Sequence, residues 1–258
     1  MEIILKGVTC GYRSIDVLNN LNLSFGTGEF WCILGSNGIG KTTLFKTLLG
    51  FIDLREGEIL IDNQNIKNIG GKEIARYISY VPQAKSYSLQ YSVLDTVLMG
   101  RASHIKPFSS PAGKDYAIAE KMLEKLGIRH LADCMYSELS GGEQQVVLIA
   151  RALAQEAQFI VMDEPASNLD FENQKRILDV MKVLASKDVG IIMSSHSPDH
   201  AFYCNANVVL IKKDKSVAQG KAEDVITSEN LKGGYGVDVE IIRGTDSCGN
   251  PIRACRLL

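Results

Sequence analysis

Four short stretches of the chain are apolar almost without interruption: Phe30-Trp31-Cys32-Ile33-Leu34, Phe159-Ile160-Val161-Met162, Gly190-Ile191-Ile192-Met193 and Val208-Val209-Leu210-Ile211. Runs of this length, with no polar position alternating, predict strands covered on both faces. Helical spacing occupies the intervals, from Thr42 to Leu49, which stops at Gly50, and from Gln174 to Ala185. Strands alternating with helices predict a mostly parallel α/β sheet, and such sheets bind ligands at the carboxyl ends of their strands. Residues 84–155 break the rhythm, with three helical stretches and no convincing strand. Ser92 is a candidate N-cap before Val93-Leu94-Asp95, residues 114–126 are amphipathic and stop at Gly127, and Gly141 to Ala154 forms a long helix. The loop Lys106 to Gly113 parts the first two. Residues 237–258 read as two strands around the turn composition Asp246-Ser247-Cys248-Gly249-Asn250-Pro251.

Composition narrows this picture. A chain of 258 residues that is 45% hydrophobic suits one large domain with an insertion. Its net charge of −2 provides no basic field for a phosphodiester backbone, so nucleic acid is not an expected partner. No apolar run reaches the roughly 18 residues that cross a bilayer, and the start, MEIILKGVTCGY, has no basic region leading into a cleavable apolar stretch. A cytoplasmic location is expected. The six cysteines, Cys10, Cys32, Cys134, Cys204, Cys248 and Cys255, form no CxxC pair and read as reduced and structural. The remaining option is a metal or redox pairing of Cys248 with Cys255.

The chemistry lies where apolar runs end. Gly35-Ser36-Asn37-Gly38-Ile39-Gly40-Lys41-Thr42 fits G-x-x-x-x-G-K-[ST] between a buried strand and a helix, the setting that the motif needs. Glycines let successive N–H groups turn inward around phosphate oxygens at a helix N-terminus. Lys41 would then reach the β- and γ-phosphates, Thr42 would ligate Mg²⁺, and Thr43 would donate to a phosphate. After Phe159 to Met162 come Asp163 and Glu164. Side chains alternate along a strand, so Asp163 is expected to serve the magnesium shell and Glu164 the water that attacks the γ-phosphate. Met193 is followed by Ser194-Ser195-His196, and His196 at a strand end could contact the γ-phosphate. Leu139-Ser140-Gly141-Gly142-Glu143 opens the long helix. Ser140 and Glu143 suffice for a capping box, but two glycines weaken a helix start and suit one that an anion approaches closely.

With LSGGEQQ at 139–145, the chain resembles the ATP-binding-cassette ATPases across essentially its whole length. Their motifs follow in order: Tyr12, the phosphate loop at 35–43, Gln83, LSGG at 139–142, Asp163-Glu164, Ser167-Asn168-Leu169-Asp170 and His196. The resemblance implies a single nucleotide-binding domain of 1–258 in the α/β class. It would comprise a P-loop NTPase core with a mostly parallel sheet, an antiparallel β portion, a helical subdomain inserted at 84–155 and a hairpin tail at 237–258. It further implies a head-to-tail homodimer with two ATP molecules at its interface. Each would lie between Gly35, Asn37, Gly38, Gly40, Lys41, Thr42 and Thr43 of one copy and Ser140, Gly141 and Gly142 of the other. Tyr12 would stack on adenine, unless it is an ordinary loop aromatic; Gln83 would sense Mg²⁺ and the γ-phosphate, and Asp170 would bridge the copies. Gln145-Val146, Ala166 and Asn168 depart from common family residues without removing a phosphate or metal contact.

Ser92-Val93-Leu94-Asp95-Thr96-Val97-Leu98-Met99-Gly100-Arg101 and Tyr235-Gly236-Val237-Asp238-Val239-Glu240 resemble the importer ATPases for ferric siderophores, haem and cobalamin, and Met99 to His104 is similar to relatives assigned to molybdate or tungstate. The implied partners are a transmembrane permease, which would hold the chain at the inner face of the membrane, and indirectly an extracytoplasmic substrate-binding protein. Apolar residues after Gln83, namely Tyr87, Leu89, Tyr91, Val93 and Leu94, would either receive the permease or pack the helical lobe. A soluble non-transport cassette ATPase is the alternative function. A plain phosphate-loop kinase or GTPase fits LSGG and Glu164 poorly.

Overall fold

The structure is a computed structural model that describes every residue except Arg13, Ser14, 84–89, Pro107, Asn168, Cys248 and Asn250. Its strands are β1 Glu2–Tyr12, β2 Ile15–Gly26, β3 Phe30–Leu34, β4 Glu56–Ile61, β5 Gln64–Asn65, β6 Ile78–Val81, β7 Phe159–Met162, β8 Gly190–Ser195, β9 Asn207–Ile211, β10 Val217–Lys221, β11 Val239–Thr245 and β12 Pro251–Leu257. Its α-helices are α1 Lys41–Leu48, α2 Gly71–Tyr77, α3 Val93–Leu98, α4 Gly113–Lys125, α5 Gly141–Ala154, α6 Phe171–Ala185, α7 Pro198–Tyr203, α8 Ala222–Val225 and α9 Ser228–Tyr235.

Six strands form the central sheet in the order β10-β9-β3-β8-β7-β6, parallel throughout except for the antiparallel β9–β10 pair. The four apolar runs are β3, β7, β8 and β9, and alternate residues explain why they lack polar positions. Cys32, Leu34, Ile160, Met162, Ile191, Met193, Val208 and Leu210 join one core with α5 and α6. Ile33, Phe159, Val161, Ile192, Val209 and Ile211 join another with Leu44, Phe45 and Leu48 of α1. With both faces covered, burial at about 25 cal/mol per Å² selects apolar side chains at every position. A four-stranded antiparallel sheet, β2-β1-β4-β5, closes the second core through Ile3, Leu5, Phe25 and Ile59. Near the C-terminus β11 and β12 pair antiparallel from Val239↔Leu257 to Thr245↔Pro251.

Between β6 and β7 the described residues contribute no strand, only the isolated bridge Ser92↔Met135. Ser92 caps α3 by accepting a hydrogen bond from Asp95 N at 3.0 Å. Val93 is fully buried and Leu94 packs on the same core, so both serve packing rather than a docking face; Tyr91 is exposed, and Tyr87 and Leu89 lie outside the described residues.

The run from Met99 also turns out to be structural. A side chain at Gly100 would collide with the Arg151 carbonyl. Arg101 is buried, and its Nε donates to Asp115 Oδ1 at 3.2 Å while Nη1 donates to Ala154 O and Glu156 Oε2, each at 2.7 Å. A hydrogen bond from Ala112 N, with help from Arg101, holds the Asp115 carboxyl below the usual carboxylate range. Removing one member of such a pair strands the other. Arg101→Met is expected to lower the thermal midpoint by about 5–10 °C, and adding Asp115→Leu should recover most of the loss, as thermal melts of both variants would show.

Candidate functional site

β3, β8, β7 and β6 are neighbours in the sheet, so the segments leaving their carboxyl ends gather along one edge. Gly35 to Gly40 follows β3, His196 follows β8, Asp163-Glu164 follows β7 and Gln83 follows β6. Together they form a cleft of about 280 Å³ lined by Asn37, Gly38, Gly40, Lys41, Thr42, Thr43, Gln83 and Glu164. α1 begins here with no side-chain cap, which leaves its first N–H groups directed at whatever anion the cleft takes. Gly40 cannot be replaced cheaply: its φ is 125°, and a Cβ would lie 2.9 Å from the Val17 and Leu18 side chains.

Lys41 is only 5% exposed. Its Nζ donates to Gly35 O at 2.7 Å and Ser36 O at 3.3 Å, and lies 3.7 Å from Glu164 Oε1. Burial pulls this ammonium below the ordinary lysine range, while Glu164 and Asp163 pull it back. Phosphate oxygens would favour its charge in the same way. Thr42 Oγ1 donates to Asp163 Oδ2 at 2.5 Å, and Asp163 Oδ1 accepts from Ser194 Oγ at 2.7 Å.

The two acids diverge for a reason that differs from the strand-pleat expectation. β7 ends at Met162, and Glu164 has a left-handed backbone with φ 49°, rare for a residue with a Cβ. This strained turn is held by the Ser194 hydroxyl, which accepts from Glu164 N at 2.9 Å, and by Ser167, whose N and Oγ donate to Glu164 O. The Glu164 carboxylate thereby enters the cleft. Gln83 Nε2 donates to Glu164 Oε2 at 3.4 Å, and His196 Nδ1 stands 3.8 Å from it.

Other candidates lie elsewhere. Tyr12 is 45% exposed at the end of β1, with Lys46 Nζ 6.0 Å from its ring centre. Ser140, Gly141, Gly142 and Asp170 do not line the cleft. Ser140 Oγ accepts from Glu143 N while Glu143 Oε2 accepts from Ser140 N, so the capping box forms; Asp170 Oδ1 accepts from Asn173 N at 2.8 Å and caps α6. Gly142 lies against Leu169, but a Cβ at Gly141 would meet nothing within 4 Å. Asn168 lies outside the described residues.

Ser194 went unassigned in the sequence reading, although a hydroxyl inside a buried strand was a signal. It ties both acids in place. Ser195 is analogous: its Oγ lies 2.9 Å from His200 Nδ1 and accepts from Ser197 N, which shapes the turn carrying His196. The five described cysteines are free, and burial pushes the Cys204 and Cys255 thiols up to about 12, with Asp199 adding to the rise at Cys255. Among the described residues no cluster of His, Cys, Asp and Glu could hold a metal by itself, and no helix is long and apolar enough to cross a membrane. Cys248 lies outside the described residues.

Comparison with known proteins agrees with this geometry. Residues 18–167 match the family model described as ABC transporter. A probable iron chelatin transport ATP-binding protein of Helicobacter pylori is 35% identical over 94% of this chain and 96% of its own length. The molybdate import ATP-binding protein MolC of Haemophilus influenzae is 37% identical over 83% of this chain and 80% of its own. Among solved structures, a metal-chelate type ABC transporter in an inward-facing conformation superposes with a TM-score of 0.87 at 30% identity, covering 99% of this chain and 97% of that one.

Proposed function

The chain belongs to the ABC transporter family, and we propose that it is the ATP-binding and ATP-hydrolysing subunit of a membrane importer for a metal chelate or metal oxyanion. The observation that carries the catalytic half is the convergence of Lys41, the Thr42–Asp163 pair and Glu164 on one cleft at adjacent strand ends. Lys41 and the first-turn N–H groups of α1 bind the phosphates. The hydroxyl of Thr42, the carboxylate of Asp163 and the amide oxygen of Gln83 are hard donors that fit Mg²⁺, which when bound would offset phosphate charge. Glu164, held by its left-handed turn, orients and deprotonates the attacking water, and His196 beside it contacts the γ-phosphate.

The other half of each site would come from a second copy. Ser140, Gly141, Gly142 and Asp170 stand outside the cleft. Gly141 costs helix stability on the order of 1 kcal/mol relative to alanine, and no neighbour within the chain demands it. A phosphate approached across a homodimer interface supplies a reason, and Tyr12 is placed for adenine stacking on the first copy. Permease subunits would hold the dimer at the inner face of the cell membrane and work with an extracytoplasmic binding protein.

Coexpressed with the membrane subunits encoded beside it and reconstituted in vesicles, the chain is expected to drive ATP-dependent accumulation of one cargo among ferric siderophore, haem, cobalamin and molybdate. Accumulation should exceed that of a Lys41→Ala complex at least about tenfold. Failure of all four to rise above that background, in a complex that still hydrolyses ATP, would overturn the cargo class and leave the ATPase standing.

A further inference from the structure

Two contacts reach the phosphate loop from behind, and neither comes from a residue assigned to nucleotide. Tyr235 closes α9, where Gly236 caps the helix in the left-handed conformation at φ 78°. Its hydroxyl accepts a hydrogen bond from Gly35 N at 3.2 Å. Lys215 sits half-buried in the turn between β9 and β10, and its Nζ donates to Ile39 O at 2.9 Å. The Gly35 peptide is therefore held on both sides, by Tyr235 at its N–H and by Lys41 at its C=O. At the loop's far end Ile39 O is fixed just before Gly40 and Lys41.

Both contacts rest on firm supports. β9 pairs directly with β3, the strand that feeds the loop. α9 lies on β9 so closely that a Cβ at Gly234 would come within 3.0 Å of Leu210 Cδ1. Burial pushes the Tyr235 phenol well above the usual tyrosine range, so it stays protonated and neutral at any working pH. The loop between the two ties contains Gly35, Gly38 and Gly40, all at positive φ, the backbone type that loses most freedom when ordered. A ligand that binds a loop already fixed at both ends is spared part of that entropy cost.

We propose that Tyr235 and Lys215 are positioning residues that brace the phosphate loop and set its affinity for nucleotide. This rests on the reading of the cleft as a nucleotide site. The brace acts on the empty and filled loop alike, so its loss is a loss of uniform binding, which raises KM and leaves kcat. It also gives the Tyr235-Gly236 pair a task in the ATPase: glycine ends the helix so that tyrosine, its last residue, meets the loop.

The test uses the full chain. Tyr235→Phe removes the acceptor, Lys215→Met removes the ammonium but keeps the stem, and Lys215→Arg restores charge and donor. ADP with Mg²⁺ is titrated calorimetrically, ATPase KM and kcat are measured, and melts are recorded without nucleotide. Tyr235→Phe and Lys215→Met are each expected to raise the ADP Kd and the ATP KM about 3- to 10-fold, the loss of one hydrogen bond, with kcat within about twofold. Lys215→Arg should return both to near wild type. Unchanged Kd and KM in both variants, whatever the melting point does, would reduce the contacts to fold support and overturn the proposal. If Tyr235→Phe unfolds, the Lys215 pair in its surface turn decides alone. Lys41→Ala is run in parallel: wild-type ADP binding there would sink the nucleotide site itself, whereas its loss beside unaltered brace variants sinks only the brace.

Discussion

Glu164→Gln is expected to bind ATP as well as the wild type while hydrolysing it about 10²- to 10⁴-fold more slowly. The amide matches the carboxylate in size and keeps an acceptor oxygen, but it cannot take a proton from water. The backbone geometry that aims position 164 does not depend on the side chain. It is fixed through the Glu164 N–H by Ser194 and through the Glu164 carbonyl by Ser167. Lys41 loses one compensating carboxylate but retains the Gly35 and Ser36 carbonyls, and bound phosphates supply the missing negative charge. Affinity therefore holds while chemistry stops, and a dimer closed on ATP should persist long enough to isolate. Phosphate release and equilibrium ATP binding on the same preparation check this; turnover within a few fold of wild type would remove Glu164 from its role.

What could be read in advance depended on whether a residue's neighbours lie near it in the chain. The four central strands were legible because both faces are buried, a condition that the strand itself displays. β1 and β2 were harder. Leu21, Leu23 and Phe25 alternate with polar residues, but upstream the pairing shifts register between Leu5 and Val8 and again before Cys10, with Gly7 and Asn20 at positive φ, and these irregularities erase a two-residue period. The phosphate loop and the acids are contiguous motifs and were visible as such. Ser194, Lys215 and Tyr235 act through contacts 30, 176 and 200 residues away in sequence, which no local pattern carries. The run at Met99 failed in the opposite way: its similarity to oxyanion relatives suggested cargo, whereas Arg101 spends its hydrogen bonds on Asp115, Ala154 and Glu156 inside the helical layer.

A mixture of Lys41→Ala and Ser140→Arg chains is expected to regain activity that neither variant has alone. Each homodimer is dead, one lacking the phosphate lysine at both sites and the other carrying a bulky cation where the signature meets phosphate. In a head-to-tail heterodimer the two lesions fall together at one site, leaving the other with an intact Lys41 cleft and an intact Ser140-Gly141-Gly142 turn. Both substitutions suit the fold. Lys41→Ala removes a buried charge, and Ser140 stands at an exposed helix start where the cap it loses is worth about 1 kcal/mol. Random pairing of equal amounts makes about half of all dimers mixed, each with one working site, so recovery up to roughly a quarter of wild-type turnover is the ceiling if sites fire independently. Differently tagged chains purified in tandem give the mixed dimer directly, and its ATPase rate is the readout. A purified heterodimer no faster than either parent would show that Ser140 does not complete the partner's site or that one site cannot turn over alone. A heterodimer carrying Lys41→Ala and Ser140→Arg on the same chain separates these outcomes: with composite sites it has one lesion at each site and stays silent, whereas sites built within single chains would leave its wild-type partner active.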